Sequence, residues 1–581
     1  MSEELSELES LGERKRPAVE AAMPPPPKRA RNPLDASQQA AALLAAAEAE
    51  AEGLDVDALD ANTLKRLILH VEKQINLNMQ LRMKYSDQPE RFMDSEIELF
   101  QSLKGLHAVA AVPELYPVFV KTKCMASLLG LLAHENGDIA NDALELLQEM
   151  ASAEDAAPED LLCLVDTLLE NDGASTLVQN LTRLNDAEDD EAQAVHSTLT
   201  IFESILEARP DAAETLAQRT PLLTWLLTRV KTRGFHANKL FASELLNLLI
   251  QQHPPNLERL GQNEGMLSLL TAASQYKRKE PADLEEAELI ENVFNALCTA
   301  MELPANQLLF LRAEGIELMV LALKEGKYAS RCALRALDAA LASNGANCER
   351  FVDIRGFKTL FPLVGGSPPA QPSFAKGRGE KDAAQRQHDE HVIGILCTLF
   401  HQLDGDRRLR LVGKFAEEEL RKLHRLLGMR KKYDAHVAAA EDAAMEAVAE
   451  EGEDEEEEEE APTAEERVYL AKVDAGLGTL FKIDVLLGYI ATARAKPLKR
   501  AILHGLYEQG CSMHLVAASI DEELRMVKGG GGGAREDPAR DSHLATMTAA
   551  VQDILSRYAQ PAETAEEGAG PSGVPERDQI D

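Results

Sequence analysis

Two short basic clusters near the start of the chain carry the sharpest local chemistry. Lys15 and Arg16 are followed, after 11 intervening residues, by Lys28, Arg29 and Arg31. Two cationic clusters on one extended stretch can reach two separate acidic sites on a carrier, and the proline run Pro24–Pro27 keeps the spacer open. This is the layout of a bipartite nuclear localisation signal, so an import carrier is an expected partner and the nucleus the expected location.

Other reactive residue types offer less. His388 and His391 stand three apart with Asp389 and Glu390 between them, but no third ligand follows at a metal-binding spacing. They read as exposed residues at a helix start, where the two acids favour the positive end of the helix dipole. The Glu run 453–460 reads as a solvated, self-repelling loop, with a docking strip for basic tails as the functional alternative. No GxxxxGK[ST], GxSxG or HExxH motif occurs, and no nucleophile–base arrangement can be argued. The chain is expected to be no enzyme and to need no cofactor and no metal.

Such residues need a framework, and the chain repeats one three times. Asn256, Leu260, Gly265 and Leu269 recur as Asn306, Phe310, Gly315 and Met319, and again as Asn347, Phe351, Gly356 and Leu360. A helical repeat of about 40–47 residues, stretched by insertions, has the armadillo/HEAT period. The expected fold is all-α: an armadillo/HEAT-like, right-handed superhelical solenoid with N- and C-terminal helical caps, whose working part is a long surface. The glycines before the Leu-rich helices (Gly173, Gly265, Gly315, Gly356) fit a left-handed or tight-turn backbone.

Composition agrees. Aromatics are 4% of 581 residues with a single tryptophan, Trp225, as stacked helices of aliphatic side chains require. No apolar run reaches the roughly 18 residues of a membrane span, and the acidic N-terminus lacks a secretory core. The seven cysteines form no CxxC pair and read as buried free thiols of a reducing compartment. Net charge is −37, and the stretch Glu441–Glu466 alone holds 15 acidic residues and no basic ones. A body that acidic argues against direct nucleic-acid contact, which needs clustered Lys and Arg, and favours basic protein partners.

Along the chain, residues 1–60 read as a disordered tail carrying the localisation signal, with a helix at 36–52 as an option. A helical cap is expected at 61–125, broken at Ser86–Pro89, and armadillo-type repeats at 126–433 with a loop at 365–387. Helices resume at His388 and run to about Ala447. The acidic segment 434–465 is expected to be disordered, 466–527 to form a C-terminal helical cap, and 528–581 to hold a Gly-rich linker, one helix (541–558) and a disordered tail.

Several long stretches resemble the β-catenin-like protein 1 family. They are PERFMDSEIELFQSLKGLHAVAAVPELYPVFV (89–120), SLLGLLAHENGDIANDALELLQEM (127–150), LLTWLLTRVKTRGFHANKLFASELLNLL (222–249), CERFVDIRGFKTLFPLV (348–364), HDEHVIGIL (388–396) and VYLAKVDAGL (468–477). The resemblance covers about 60–527. It implies a non-catalytic nuclear pre-mRNA splicing factor of the spliceosomal NineTeen complex. Such proteins bind localisation-signal-like basic segments of partners such as the cell-division-cycle-5-like splicing factor and, in vertebrates, activation-induced deaminase. The tails, the 365–387 loop, the 434–465 segment and the 529–533 insert depart from the family pattern.

Repeat pattern and resemblance meet in one mechanism. The longer helix of each unit would line a groove in which carboxylates pair with Lys and Arg while Asn side chains clamp the peptide backbone. Helix phase selects Glu145, Glu149, Asn238, Glu244, Asn292 and Asn295 as groove residues. Two alternatives share the fold. An importin-α-like import adaptor would carry repeated Trp-x-x-x-Asn pairs, whereas Trp225 is followed at that spacing by Arg229. A β-catenin-like signalling adaptor would show a basic groove. Homodimerisation is left open by the sequence.

Overall fold

The computed structural model describes residues 59–518 except 154, 187, 343, 368–379, 451–462 and 493–494. Lys15, Arg16, Lys28, Arg29 and Arg31, the Glu run 453–460 and the helix expected at 541–558 lie outside the described residues. The chain divides after Thr63 into two units, and all the repeat helices belong to the second.

Every regular element among the described residues is helical. Helices α1 (Ala61–Lys84) and α2 (Met93–Leu106) precede six three-helix units. The first unit is α3 (Tyr116–Lys121), α4 (Cys124–Leu131) and α5 (Gly137–Ala151); the second is α6 (Pro158–Glu170), α7 (Gly173–Arg183) and α8 (Asp189–Ala208). Then come α9 (Ala212–Arg219), α10 (Leu222–Val230) and α11 (Ala237–Ile250), followed by α12 (Pro254–Gln262), α13 (Gly265–Ser274) and α14 (Leu284–Ala300). The last two are α15 (Pro304–Arg312), α16 (Gly315–Glu325) and α17 (Ala329–Leu341), and α18 (Gly345–Asp353), α19 (Phe357–Leu360) and α20 (Glu380–Gln402). A C-terminal group follows: α21 (Gly405–Ala416), α22 (Arg421–Glu450), α23 (Ala464–Asp474), α24 (Leu477–Thr492) and α25 (Lys496–Glu508).

Like positions of successive units meet. The third helices α5, α8, α11, α14, α17 and α20 pack each on the next, with α2 and α24 extending the row at its ends. The first helices α9, α12, α15 and α18 form a parallel row. This is the armadillo solenoid, in which each unit buries its apolar face only against its neighbours.

The repeated residues explain the stacking. In the first helices α12, α15 and α18 the asparagine is buried and donates Nδ2 to two carbonyls of the preceding unit. Asn256 reaches Leu249 O (2.7 Å) and Ala213 O (3.0 Å), Asn306 reaches Ala300 O and Leu257 O (both 3.0 Å), and Asn347 reaches Ala340 O (2.6 Å) and Gln307 O (3.5 Å). Leu249, Ala300 and Ala340 sit in the last turn of a third helix, where carbonyls lack an intrahelical donor. One side chain therefore ties the end of one unit to the first helices on both sides of the junction.

The glycines work differently from the expected turn role. The left-handed residue is the one before each glycine: Asp172 (φ 56°), Glu264 (φ 55°), Glu314 (φ 59°) and Arg355 (φ 63°). Glycine itself opens the second helix at Gly173, Gly265 and Gly315, and is needed because the Leu or Phe of the first helix lies on its Cα. A Cβ at 265 would come within 2.5 Å of Leu260, and one at 315 within 2.6 Å of Phe310.

Other boundaries also shift. Helix α20 begins at Glu380, inside the loop expected at 365–387. Helix α22 runs to Glu450 through the first half of the segment 434–465 expected to be disordered. That stretch is acidic but built of Ala, Glu and Met, strong helix formers. It is anchored by buried Tyr433 and Val437 and by Glu441, which pairs with Lys472 of α23 at 3.0 Å. His388 and Asp389, expected to be exposed, are buried more than two turns inside α20. Asp389 accepts from Tyr433 Oη (3.1 Å) and Gln385 Nε2 (2.9 Å).

Candidate peptide-binding groove

The row of third helices places one side-chain position of each unit beside its counterpart in the next. Its two ends are already neutralised. Lys104 of α2 lies 2.6 Å from Asp142 and 3.4 Å from Glu145 of α5, and His107 Nδ1 lies 2.6 Å from Glu149. Burial disfavours the His107 imidazolium, but Asp142 and Glu149 outweigh it and raise its pKa. The ligand atoms of His107, Asp142 and Glu145 lie within 4.8 Å of one another, yet the Lys104 ammonium already compensates the two carboxylates. The group is an ion-pair cluster joining α2 to α5.

At the other end Glu291 of α14 takes Arg331 (2.7 Å) and Arg335 (3.3 Å) of α17. Asp338 faces His391 of α20 at 3.0 Å, and Glu390 faces Lys482 of α24 at 3.2 Å.

The middle of the row is different. Glu203 on α8, Glu244 on α11 and Glu288 on α14 stand close enough to act on one another, and Glu207 lies one turn beyond Glu203. Partial burial raises the pKa of Glu244, with Glu288 and Glu203 adding to it; burial and then Glu207 do the same at Glu203. Among the described residues none of these four has a Lys, Arg or His within 4.0 Å. Like charges held together without a counterion cost free energy that a cationic ligand would relieve.

Amides flank this stretch. Asn247 Nδ2 donates to Ser243 O (3.0 Å) and across to Asn292 O (3.1 Å), tying α11 to α14. Asn292 Nδ2 is buried without a partner among the described residues. Asn295 is half-buried on the same helix.

The residues selected by helix phase thus separate. Glu244, Asn292 and Asn295 border the unpaired stretch, Glu145 and Glu149 belong to the paired cluster, and Asn238 leaves the groove. It is 4% exposed and its Nδ2 donates to Ala192 O at 2.8 Å, because its position on α11 faces the preceding unit. Glu203 and Glu288 were missed. Their signal is the period itself: they stand 41 before and 44 after Glu244, each on a third helix.

A family model described as "Catenin-beta-like, Arm-motif containing nuclear" matches residues 38–521. The chain belongs to this family. Beta-catenin-like protein 1 of Mus musculus is 36% identical over 480 residues, covering 81% of this chain and 83% of the mouse protein. Its Homo sapiens counterpart is 36% identical over 477 residues with the same coverage. The Schizosaccharomyces pombe homolog is 30% identical over 374 residues, 63% of each chain. The Catenin-beta-like match spans α1 to α25 and so takes in the whole row of third helices. The expected family and fold class hold. No enzyme family is indicated, and the family description is of a nuclear protein.

Proposed function

We propose that this Catenin-beta-like protein is a non-catalytic nuclear scaffold in pre-mRNA splicing, a component of a NineTeen-type spliceosomal complex. It holds basic, localisation-signal-like segments of splicing partners, such as the cell-division-cycle-5-like factor, along the middle of its groove. The observation that carries this reading is the acidic row Glu203, Glu244 and Glu288, which has no Lys, Arg or His within 4.0 Å among the described residues. An extended peptide rich in Lys and Arg supplies the missing counterions, while amide clamping of its backbone leaves side-chain preference loose. The N-terminal basic clusters act as the address label read by an import carrier.

Two measurements test this. Fluorescence anisotropy with a labelled bipartite basic peptide should show Glu203→Lys/Glu244→Lys binding at least about tenfold more weakly, one lost charge-assisted contact being worth about 1.4 kcal/mol or more. Glu145→Lys should have the smaller effect, since that carboxylate already faces Lys104. Equal affinities for all three proteins would place the site elsewhere. Affinity capture from nuclear extract, read by mass spectrometry, should recover spliceosomal proteins; import carriers with diverse cargo and no splicing proteins would instead mean a transport adaptor.

A further inference from the structure

In a chain of net charge −37, residues 405–432 hold ten Lys and Arg against four Asp and Glu. Part of this excess converges. A cavity of about 410 Å³ lies between α19, the end of α21 and the start of α22, and its lining includes Lys358, Lys414, Arg421, Lys422 and Arg425. Two carboxylates, Glu417 and Glu418, line it as well. The Glu417 carboxylate takes Lys414 Nζ at 2.7 Å on one oxygen and Lys422 Nζ at 2.8 Å on the other, and its pKa is held below the usual carboxylate range. Arg421 has a looser partner in Glu418 at 3.8 Å. Lys358 and Arg425 have no acidic partner within 4.0 Å among the described residues.

Two features show how the local fold maintains this arrangement. Glu418, Glu419 and Leu420 all adopt left-handed backbone (φ 54°, 53° and 63°), a run that costs non-glycine residues free energy and persists only where surroundings impose it. Helix α22 then opens with Arg421 and Lys422 and no acid in its first turn, the reverse of what its dipole favours. A bound anion would relieve both the dipole and the uncompensated cations.

We propose that this cavity is a docking site for a phosphorylated serine or threonine on a partner peptide, with Glu417 as the resident carboxylate that the phosphate displaces. A single carboxylate entering from outside would replace Glu417 like for like and gain little. A phosphate brings nearly two charges and three acceptor oxygens, enough to take the two lysines released by Glu417 and to engage Lys358 and Arg425 as well. The acidity of the rest of the chain repels a long polyanion such as RNA, whereas a short peptide with one or two phosphates carries its charge into the cavity alone.

The test uses the full-length protein at low salt, with a fluorescein-labelled peptide carrying two phosphoserines, the same peptide with serines, and a single-stranded RNA of matched charge. Anisotropy should detect binding of the phosphopeptide only. Lys358→Ala/Arg425→Ala should weaken it by about tenfold, the scale of one lost charge-assisted hydrogen bond. Glu417→Gln, which frees Lys414 and Lys422, should tighten it severalfold. Circular dichroism checks that each variant keeps its helix content, and Glu417→Gln decides the matter should the double variant unfold. No phosphopeptide binding, tighter binding of the RNA, or unchanged affinity in Glu417→Gln would each overturn the proposal.

Discussion

The ring of Phe310 lies against the Cα of Gly315, so close that a Cβ on the glycine would come within 2.6 Å of ring carbons. Both residues belong to the repeated pattern, and their contact sets the angle at which the first helix of a unit meets the second. Gly315→Ala should therefore destabilise the fold by about 1–3 kcal/mol, the usual cost of forcing an extra methyl into a packed site. Gly137→Ala, where nothing lies within 4 Å, should be neutral or slightly stabilising, because alanine favours helix over glycine. Urea denaturation of the two variants measures the difference, and equal midpoints would contradict this account of the glycine.

Asn306 should be costly to remove. Asn306→Ala leaves the carbonyls of Ala300 and Leu257 without their donor in a buried junction, at about 1–3 kcal/mol for each unsatisfied group. Hydrogen exchange should show the loss concentrated at the α14–α15 junction, since each repeat contacts only its neighbours. A uniform change across the chain would mean that the side chain acts by some other route.

Binding of a basic peptide should weaken on mild acidification. The carboxyls of Glu203 and Glu244 are raised above the ordinary glutamate value, by burial first and then by the neighbouring acids. Only the ionised forms pair with a cation, so affinity is full near neutral pH and falls as pH drops through these raised values, earlier than for exposed glutamates. Calorimetric titration at pH 7 and at mildly acidic pH should show this loss in the native protein and a smaller one in Glu203→Gln/Glu244→Gln. The same pH dependence in both proteins would sink the assignment.

The C-terminal helices are joined by a buried ion pair, Arg430 Nε to Asp484 Oδ1 at 2.7 Å, linking α22 to α24. Arg430→Met leaves Asp484, which is fully buried, without its counterion and should cost about 3–5 kcal/mol. Arg430→Met/Asp484→Leu removes both charges and should recover most of that loss. Thermal unfolding of the single and double variants decides it; a double variant no more stable than the single one would rule the mechanism out.

Much of this molecule was readable before its fold was known. Offsets of 4, 9 and 13 between Asn, Leu or Phe, Gly and Leu or Met identify the unit, because one short helix, one tight turn and one second helix impose them wherever they recur. The six-residue helix α3 was not readable, since it completes fewer than two turns and so shows no period. The first unit therefore opens at Tyr116, inside the stretch expected to be a cap. The continuation of α22 to Glu450 was legible as a helix reaching about Ala447, but its acidity equally reads as a disordered segment until Tyr433 and Val437 are seen to be buried.

For the groove the division is sharper. By itself the sequence determined the all-helical repeat, the family and the acidity of the surface, all of which depend on residues near in the chain or on totals over it. Whether a given carboxylate is free was decided only by tertiary structure. Glu145 meets Lys104 from 41 residues away and Glu291 meets Arg331 from 40, whereas Glu244, with no Lys, Arg or His within 4.0 Å among the described residues, feels the like charges of Glu203 and Glu288. Helix phase says which way a side chain points; the stacking of neighbouring units says what charge stands opposite it.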